Sequence, residues 1–281
     1  MLILSPGVYF TPTRHSDTYP AVDPRKCDLS GKYVFITGAP KGIGRATALS
    51  YAKAGCAGIG IGARTDLSSL VPLLTQAAEQ AGKPAPQVAP VTLDVTDAES
   101  ASAAAASIAS SFPRLDILIN NAGYLEKRQK TWSVNVIGPY LVSRAFLPQM
   151  LSKGGDKIVV NLGSIAAHLT SPGASAYQTS KLAVLRFTEF LDVDHGPDGV
   201  PTFAVHPGGV PMDMGKRLPE QIHMALTETP ELCADTLVFL TEKRREWLAA
   251  RYISVTWDME ELLQREDEIV REDKLKVRIR I

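Results

Sequence analysis

Short apolar runs alternate with longer stretches of helical periodicity from about residue 33 to residue 205. A short run of apolar, β-branched residues is typical of a buried strand, whereas apolar residues three and four positions apart are typical of a helix. The first unit is a strand at 33–38 followed by a helix at 45–54. Further strands are predicted at 58–63, 87–93, 116–119, 157–162 and 202–205, and further helices at 67–81, 98–111, 131–150 and 175–192.

This repeated βα order predicts an α/β fold, a single-domain Rossmann-type doubly wound parallel sheet with helices on both faces. A chain of 281 residues that is 45% hydrophobic is long enough for one substantial core. We therefore predict one domain over 29–281, preceded by an irregular arm over 1–28 that is rich in Pro, Thr, Ser and Asp. Ligands of such sheets bind beyond the carboxyl ends of the strands.

Two regions lie outside the alternation. The segment 211–230 follows the last core strand and is predicted to form a substrate lid. A C-terminal extension over 242–281 carries both charge signs, and alternation within 275–281 predicts a terminal edge strand. The apolar residues of the lid either face the ligand or form the inner side of a short helix, and they are Met212, Met214, Leu218 and Met224.

Composition and charge exclude several classes of protein. The formal net charge is zero with a pI near 7, so no positive field favours nucleic acid. The three cysteines are odd in number and lack metal-ligand spacing, so we expect neither a disulfide nor a metal site. Because no apolar run approaches the roughly 20 residues that span a bilayer, we expect no membrane segment and a soluble, cytoplasmic protein.

A glycine-rich turn joins the first strand to the first helix. Gly38 allows positive φ in a tight turn, and Gly42 and Gly44 lack a Cβ, so a phosphate can approach the backbone at the helix N-terminus. Three residues separate the first two glycines, unlike the G-x-G-x-x-G spacing. A glycine-rich turn can also be purely structural, but the flanking strand and helix favour a nucleotide site.

A second candidate is the pair Tyr177 and Lys181. Four residues apart on a helix, the two side chains lie on one face. A free tyrosine has a pKa of about 10, and a neighbouring cation is expected to lower it and to make the phenol a proton-transfer group near neutral pH. Such a pair is also common on ordinary helix surfaces.

Five motifs together resemble the short-chain dehydrogenase/reductase family. They are Thr37-Gly-x-x-x-Gly-x-Gly44, Asn120-Asn-Ala-Gly123, Asn135, Ser164 and Tyr177-x-x-x-Lys181. The resemblance extends from about residue 29 to residue 210, and the stretch 251–258 resembles fungal members. It implies oxidoreductase chemistry with Asn135, Ser164, Tyr177 and Lys181 as catalytic residues. It implies a nicotinamide cofactor held by Gly38, Lys41, Gly42, Ile43, Gly44, Arg64, Asp94, Val95, Asn121, Ala122, Gly123, Tyr177, Lys181, Pro207, Gly208 and Val210.

The cofactor choice follows from charge. Arg64 ends the second strand, where an acidic residue would instead bind the free 2′-hydroxyl of NAD. An arginine there suits the 2′-phosphate of NADP, and Lys41 in the glycine turn adds a second charge. These side chains can also be ordinary surface cations. The resemblance makes either basic residue typical of NADP-preferring members.

Two positions depart from the family pattern. Met212 stands where relatives often have a threonine that contacts the cofactor, and the link over 124–131 is shorter than in many relatives. His206 precedes the Pro207–Val210 loop and is interpreted as a strand-end residue, not as a catalytic one.

The predicted function is that of an NADPH-dependent carbonyl reductase, or an alcohol dehydrogenase in reverse, acting on a mid-sized, partly apolar small molecule. Two alternatives stay open. One is a non-redox cyclase, isomerase or dehydratase that keeps NADP as a scaffold, and the other is a cofactor-sensing binding protein. The resemblance also implies a homodimer or homotetramer formed through the two central long helices.

Overall fold

A computed structural model describes residues 7–125, 128–212, 223–224 and 226–279. Seven strands form one parallel sheet in the order β3-β2-β1-β4-β5-β6-β7. The strands are β1 Tyr33–Thr37, β2 Gly58–Ala63, β3 Gln87–Thr92, β4 Ile117–Asn120, β5 Ile158–Leu162, β6 Thr202–His206 and β7 Arg251–Ser254. The predicted doubly wound α/β fold is therefore confirmed.

Helices cover both faces of this sheet. Before β5 they are α1 Gly42–Lys53, α2 Val71–Gln80, α3 Ala98–Ser111, α4 Arg128–Trp132 and α5 Gly138–Lys153. After β5 they are α6 Ser175–His195, α7 Pro230–Glu242, α8 Met259–Leu263 and α9 Glu266–Arg271. Short 3-10 turns lie at Pro24–Lys26, Ile165–His168 and Glu246–Leu248.

Alternate residues of the strands pack in two hydrophobic cores, one on each face of the sheet. Val34 and Ile36 of β1 pack in one core with residues of α1, α2 and α7. Phe35, between them, packs in the other core, where its ring stacks on Phe146 of α5 with the centroids 4.5 Å apart. Because successive side chains of a strand point to opposite faces, one short strand joins both layers of helices to the same sheet.

Most predicted elements differ from the observed ones only at their ends, but three differences matter. The helix predicted at 131–150 is interrupted by a π-helical turn, Ser133–Ile137. The seventh strand is Arg251–Ser254, and the described part of 275–281 forms no strand, so the edge-strand prediction was wrong. The tail instead makes one backbone contact with β7, in which the Tyr252 N–H donates to the Leu275 carbonyl at 2.7 Å.

The predicted substrate lid falls mostly outside the described residues, since 213–222 and 225 are not among them. Met214 and Leu218 lie there as well. The N-terminal arm, by contrast, is described from Gly7 onward and packs on the C-terminal part of the chain. The indole N–H of Trp257 donates to the Gly7 carbonyl at 2.8 Å, and His15 Nε2 lies 2.8 Å from an Asp258 carboxylate oxygen.

Candidate active site

The order of the strands reverses between β1 and β4, whose carboxyl ends lie side by side. Successive strands are added outward in opposite directions from this point, so their crossover helices leave a crevice. The glycine turn follows β1, and the segment Asn121–Gly123 follows β4. The two segments predicted to meet a dinucleotide therefore border one crevice.

The glycine turn has the geometry that its sequence requires. Gly38 and Gly42 have φ angles of +69° and +55°, which favour glycine. A Cβ on Gly44 would lie 2.3 Å from the Gly38 carbonyl oxygen. Helix α1 starts at Gly42, and its N-cap residue Lys41 makes no side-chain capping bond. The first N–H groups of a twelve-residue helix thus face the crevice uncapped by that side chain, which fits an anion.

Met212 lies against the same turn. A Cβ on Gly42 would be 2.5 Å from its sulfur atom, so the thioether packs on the glycine backbone. The family's threonine hydroxyl is thus replaced by an unbranched apolar side chain that can turn about several bonds. A phosphate can pass here if that side chain rotates away.

The residues after β4 brace the glycine turn. The Asn121 side-chain amide donates to the Thr37 carbonyl at 2.7 Å and to the Gly38 carbonyl at 3.2 Å. The Thr37 hydroxyl in turn accepts the backbone N–H groups of Asn121 and Ala122, each at 3.0 Å. Asn121 and Ala122 were predicted to bind cofactor, and these contacts give them a role in fixing the turn.

Three charged residues, here called the outer cluster, lie at the ends of β1, β2 and β3. They are Lys41, Arg64 and Asp94. The Arg64 guanidinium is 3.9 Å from the Asp94 carboxylate, and the two side chains are 59% and 38% exposed. Partial burial raises the pKa of Asp94, but the hydrogen bonds from Thr96 and the charge of Arg64 outweigh this and leave the pKa lowered. Val95, the next residue, is buried and lies against Gly138.

Four residues form what we call the inner cluster: Asn135, Ser164, Tyr177 and Lys181. Asn135 lies in the π-helical turn and is 1% exposed. Its amide accepts the Tyr124 N–H at 2.8 Å and donates to the Tyr124 carbonyl at 3.0 Å. It also donates to the Ser180 hydroxyl on α6 at 3.1 Å. The wider turn lets one buried amide join the segment after β4 to the helix that carries Tyr177.

Ser164 and Lys181 approach Tyr177 from two sides. Ser164 caps the 3-10 turn after β5, where its hydroxyl oxygen accepts the Ala166 N–H at 3.1 Å, and its hydroxyl acts to lower the pKa of the Tyr177 phenol. The Lys181 ammonium lies 5.9 Å from the centre of the Tyr177 ring and donates to the Leu162 carbonyl at 2.6 Å. The carboxyl end of β5 therefore positions both neighbours of the phenol.

The direction of one pKa shift differs from the expectation. Burial raises the pKa of Tyr177 above its usual value, and the Ser164 hydroxyl opposes this rise only in part. The cation does not dominate, because Lys181 is itself buried and burial lowers its pKa to about 8. At neutral pH the cluster thus presents a protonated phenol beside a protonated amine.

The loop Pro207–Val210 follows β6 at the same edge. Gly208 has a φ of +83°, and Val210 is buried. His206 is the last residue of β6, as predicted for a strand-end residue. Burial lowers the pKa of its imidazole to about 3, so it is neutral near pH 7 and unsuited to proton transfer there.

Two buried side chains that the sequence did not point to hold the loops on either side of the inner cluster. The Gln178 amide accepts the Ser171 N–H at 2.8 Å and donates to its hydroxyl at 3.1 Å, next to Tyr177. The Glu228 carboxylate accepts the Gly209 N–H at 2.6 Å. Gln178 is an unspecified position of the Tyr177-x-x-x-Lys181 motif and Glu228 lies outside every motif, so no local spacing identifies them.

The described residues contain no group of three or more His, Cys, Asp or Glu side chains placed to hold a metal ion. Within the same part of the chain, no helix is both long enough and apolar enough to cross a bilayer.

Comparison with known proteins places the chain in a family. A family model described as short chain dehydrogenase matches residues 32–223. Short chain dehydrogenase pigC of Monascus ruber is 49% identical over 292 aligned residues, covering 99% of this chain and 96% of the relative. Short chain dehydrogenase mpl6 of Monascus purpureus is 48% identical over 286 residues, covering 98% of each chain.

Solved structures share the fold. A short-chain type dehydrogenase/reductase from Mycobacterium marinum superposes with a TM-score of 0.72 at 24% identity, covering 84% of this chain and 97% of that one. A 7α-hydroxysteroid dehydrogenase complexed with NADH and 7-oxo glycochenodeoxycholic acid gives a TM-score of 0.71 at 22% identity, covering 85% and 97%. With the motifs at the sheet edge and the match over more than half of its length, the chain belongs to the short-chain dehydrogenase/reductase family.

Proposed function

We propose that the protein is an NADPH-dependent carbonyl reductase, working as an alcohol dehydrogenase in the reverse direction, with a mid-sized and partly apolar substrate. One observation carries the proposal. A phenol that burial keeps protonated has a serine hydroxyl that acts to lower its pKa and a lysine one helical turn away, at the carboxyl edge of a dinucleotide-type sheet.

The inner cluster supplies the proton chemistry. Negative charge develops on the substrate oxygen during carbonyl reduction, and donors fixed in advance stabilise that charge more than they stabilise the neutral carbonyl. Tyr177 donates its proton to this oxygen, and the Ser164 hydroxyl donates a hydrogen bond to it. The nicotinamide, when bound, supplies the hydride. A raised pKa suits Tyr177 to the acid role, which favours reduction near neutral pH.

Lys181 and Asn135 support the phenol. The protonated Lys181 amine favours the phenolate that is left after proton donation. Asn135 holds Tyr124 and Ser180, and Ser180 donates to the Tyr177 carbonyl at 2.7 Å, so the amide fixes the helix turn that carries the phenol. We assign Asn135 to this positioning and to the proton path through Lys181 that the family resemblance implies.

The cofactor is proposed to be NADP(H). Arg64 stands at the end of β2 with more than half of its side chain exposed, so its guanidinium is accessible to a 2′-phosphate. The Asp94 carboxylate beside it orients the guanidinium and leaves further N–H groups for phosphate oxygens. Lys41, at the start of α1, adds positive charge where the helix terminus already favours an anion.

The test is a panel of ketones and aldehydes assayed for loss of NADPH absorbance, with NADH in parallel. We expect substrate-dependent oxidation of NADPH and weaker oxidation of NADH. A compound that is converted while the NADPH absorbance stays constant would instead support the non-redox cyclase, isomerase or dehydratase. Equal rates with NADH would contradict the assignment of Arg64 and Lys41.

We also propose a homodimer or homotetramer that assembles through the long helices. Tyr140 of α5 and Phe187 of α6 are in ring contact at 6.0 Å, so the two helices present one continuous face. Contiguous exposed apolar side chains mark interaction surfaces. On α5 and α6 the large apolar residues Tyr140, Leu182, Phe190 and Val193 are 39% to 69% exposed, and Trp132 and Ile137, just before α5, are 41% and 47% exposed.

Light scattering tests this assembly. We expect the mass of a dimer or tetramer for the native chain, and for Phe190→Lys half that mass or less. The matched control is Val270→Lys, which changes an exposed apolar residue on α9. A native mass that survives Phe190→Lys and Leu182→Lys together would contradict the proposed face.

A further inference from the structure

Glu228 is a buried acid that ends the stretch after the Pro207–Val210 loop. It is 7% exposed and lies nineteen positions beyond Gly209 in the chain. Its carboxylate accepts the Gly209 N–H at 2.6 Å, and its own N–H donates to the Gly209 carbonyl at 3.2 Å. One residue thus binds both polar groups of Gly209, which fixes the orientation of two consecutive peptide planes.

The contact also requires glycine at the neighbouring position. Gly208 has a φ of +83°, and a Cβ there would lie 2.9 Å from both Cβ and Cγ of Glu228. The stem of the glutamate therefore packs on the bare backbone of the loop while its carboxylate is bonded to the next residue. The second carboxylate oxygen accepts the Thr227 hydroxyl at 3.0 Å, so both oxygens are satisfied.

The position of Glu228 is in turn fixed by the next residue, Thr229, which is bonded to the N-terminal arm. Thr229, which caps α7, donates its N–H to the Ser16 carbonyl at 2.9 Å and its hydroxyl to the Asp17 carboxylate at 2.6 Å. Contacts with the arm thus fix Thr229 at the start of α7. Glu228, the residue before it, fixes the backbone of the loop after β6. A buried carboxylate that accepts a backbone N–H makes a strong hydrogen bond, because one partner is charged.

We propose that Glu228 is a positioning residue for cofactor binding. It holds the backbone of Gly208–Val210 in the conformation that receives the nicotinamide end of NADPH, and it does not touch the adenine end. The inference rests on the proposed function, in which this loop meets the nicotinamide. It adds a residue outside every motif of the family to the set that determines cofactor affinity.

The experiment compares two ligands on the full-length chain. NADPH needs both ends of the site, whereas adenosine 2′,5′-bisphosphate occupies only the adenine end. We expect Glu228→Ala to weaken NADPH binding about tenfold or more, since it removes a charged hydrogen bond to a buried N–H. We expect the affinity for adenosine 2′,5′-bisphosphate to stay unchanged. Glu228→Gln retains an acceptor for Gly209 and is expected to restore most of the NADPH affinity.

Two further variants separate positioning from general loss of stability. Glu189→Ala removes another buried glutamate, one that accepts the Val277 N–H at 2.8 Å and makes no contact with the loop. It is expected to lower the melting temperature and to leave both affinities unchanged. Glu228→Asp keeps the charge, but its shorter side chain moves the carboxylate away from Gly209. It is expected to show the same selective loss of NADPH affinity, and it replaces Glu228→Ala in the test if that variant does not fold.

Each outcome has a distinct meaning. NADPH affinity that is unchanged in Glu228→Ala or Glu228→Asp would overturn the proposal, and so would an equal loss for both ligands. A native chain that binds adenosine 2′,5′-bisphosphate and NADPH but reduces no carbonyl would contradict the proposed function and not this positioning role. A native chain that binds neither ligand would overturn both.

Discussion

The inner and outer clusters lie at the same edge of the sheet but are built differently. Asn135, Ser164 and Lys181 are buried. Asn135 and Lys181 donate to the backbone of a neighbouring segment, and Ser164 accepts a backbone N–H of the turn that it caps. Arg64 is exposed, Asp94 is half-buried, and the two meet at 3.9 Å, a distance at which charges near water interact weakly.

This difference separates chemistry from affinity. A group that must transfer a proton needs a fixed position and a shifted pKa, and burial provides both. A group that recognises a phosphate needs only charge and reach, which an exposed side chain retains. We therefore expect substitutions in the inner cluster to change the rate of the reaction, and those in the outer cluster to change the choice of cofactor.

Tyr177→Phe is the strongest test of the inner cluster. Removal of a proton donor costs about 10² to 10⁴ in rate, so kcat is expected to fall by that factor while the affinity for NADPH stays within about twofold. Steady-state kinetics and direct titration of NADPH measure the two quantities. Tyr51→Phe is the control, because Tyr51 is buried and its hydroxyl bonds to Thr241 at 2.6 Å, far in sequence from the cluster.

Tyr51→Phe is expected to reduce the free energy of unfolding by about 1 kcal/mol and to leave kcat unchanged. If Tyr177→Phe kept more than about a tenth of the native kcat, the inner cluster would not be the proton source.

The pH dependence of the reaction tests Lys181. Its pKa of about 8 means that the ammonium is lost above that pH, so the reduction rate is expected to fall about tenfold per pH unit from there. Tyr177 does not cause this limb, because burial raises its pKa. A pH–rate profile of the native protein and of Lys181→Arg measures it, and the arginine is expected to shift the limb to higher pH.

Stability is expected to respond in the opposite direction. The unfolded chain keeps the Lys181 proton up to its ordinary pKa of 10.5, whereas the folded chain loses it near 8. Between these values the unfolded state binds more protons, so this residue's contribution to the free energy of unfolding rises with pH, by about 3 kcal/mol in total. Urea unfolding at about pH 8 and pH 10.5 measures this rise in the free energy of unfolding for the native chain and for Lys181→Met. The two proteins would show the same dependence on pH if burial did not lower the pKa of Lys181.

Arg64→Leu should have the smallest effect. We expect the KM for NADPH to rise about tenfold and the KM for NADH to stay the same, since an exposed charge-assisted contact is partly screened by solvent. Arg144→Leu changes an exposed arginine on α5 and serves as the control. A large fall in kcat for Arg64→Leu would remove the distinction between the two clusters.

Features set by neighbouring residues were predictable from the sequence. The spacing of Tyr177 and Lys181 on one helix face follows from helix geometry, and the glycine turn follows from a strand and a helix that its own residues specify. The alternation of apolar runs predicted six of the seven strands, because strands buried on both faces are continuously apolar. These are local properties.

Features set by distant contacts were not predictable. Strand β7 has four residues and begins with the charged Arg251, so its sequence lacks the apolar run that predicts a buried strand. The alternation in 275–279 resembles a strand but has one backbone bond to β7. The π-helical turn around Asn135 widens the helix without changing its apolar pattern. Glu228 acts across nineteen residues, and its environment exists only once both segments are folded.

The packing of the N-terminal arm has a consequence for synthesis of the chain. The hydrogen-bond partners described for residues 11–19 outside the arm lie between Thr229 and Glu261, and the Gly7 carbonyl is bonded to Trp257. The arm is therefore synthesised more than 200 residues before its partners and cannot dock until they have left the ribosome. Nascent chains stalled before residue 229 are expected to be cut by protease within the arm, and chains in which residues 229–261 have folded are expected to resist.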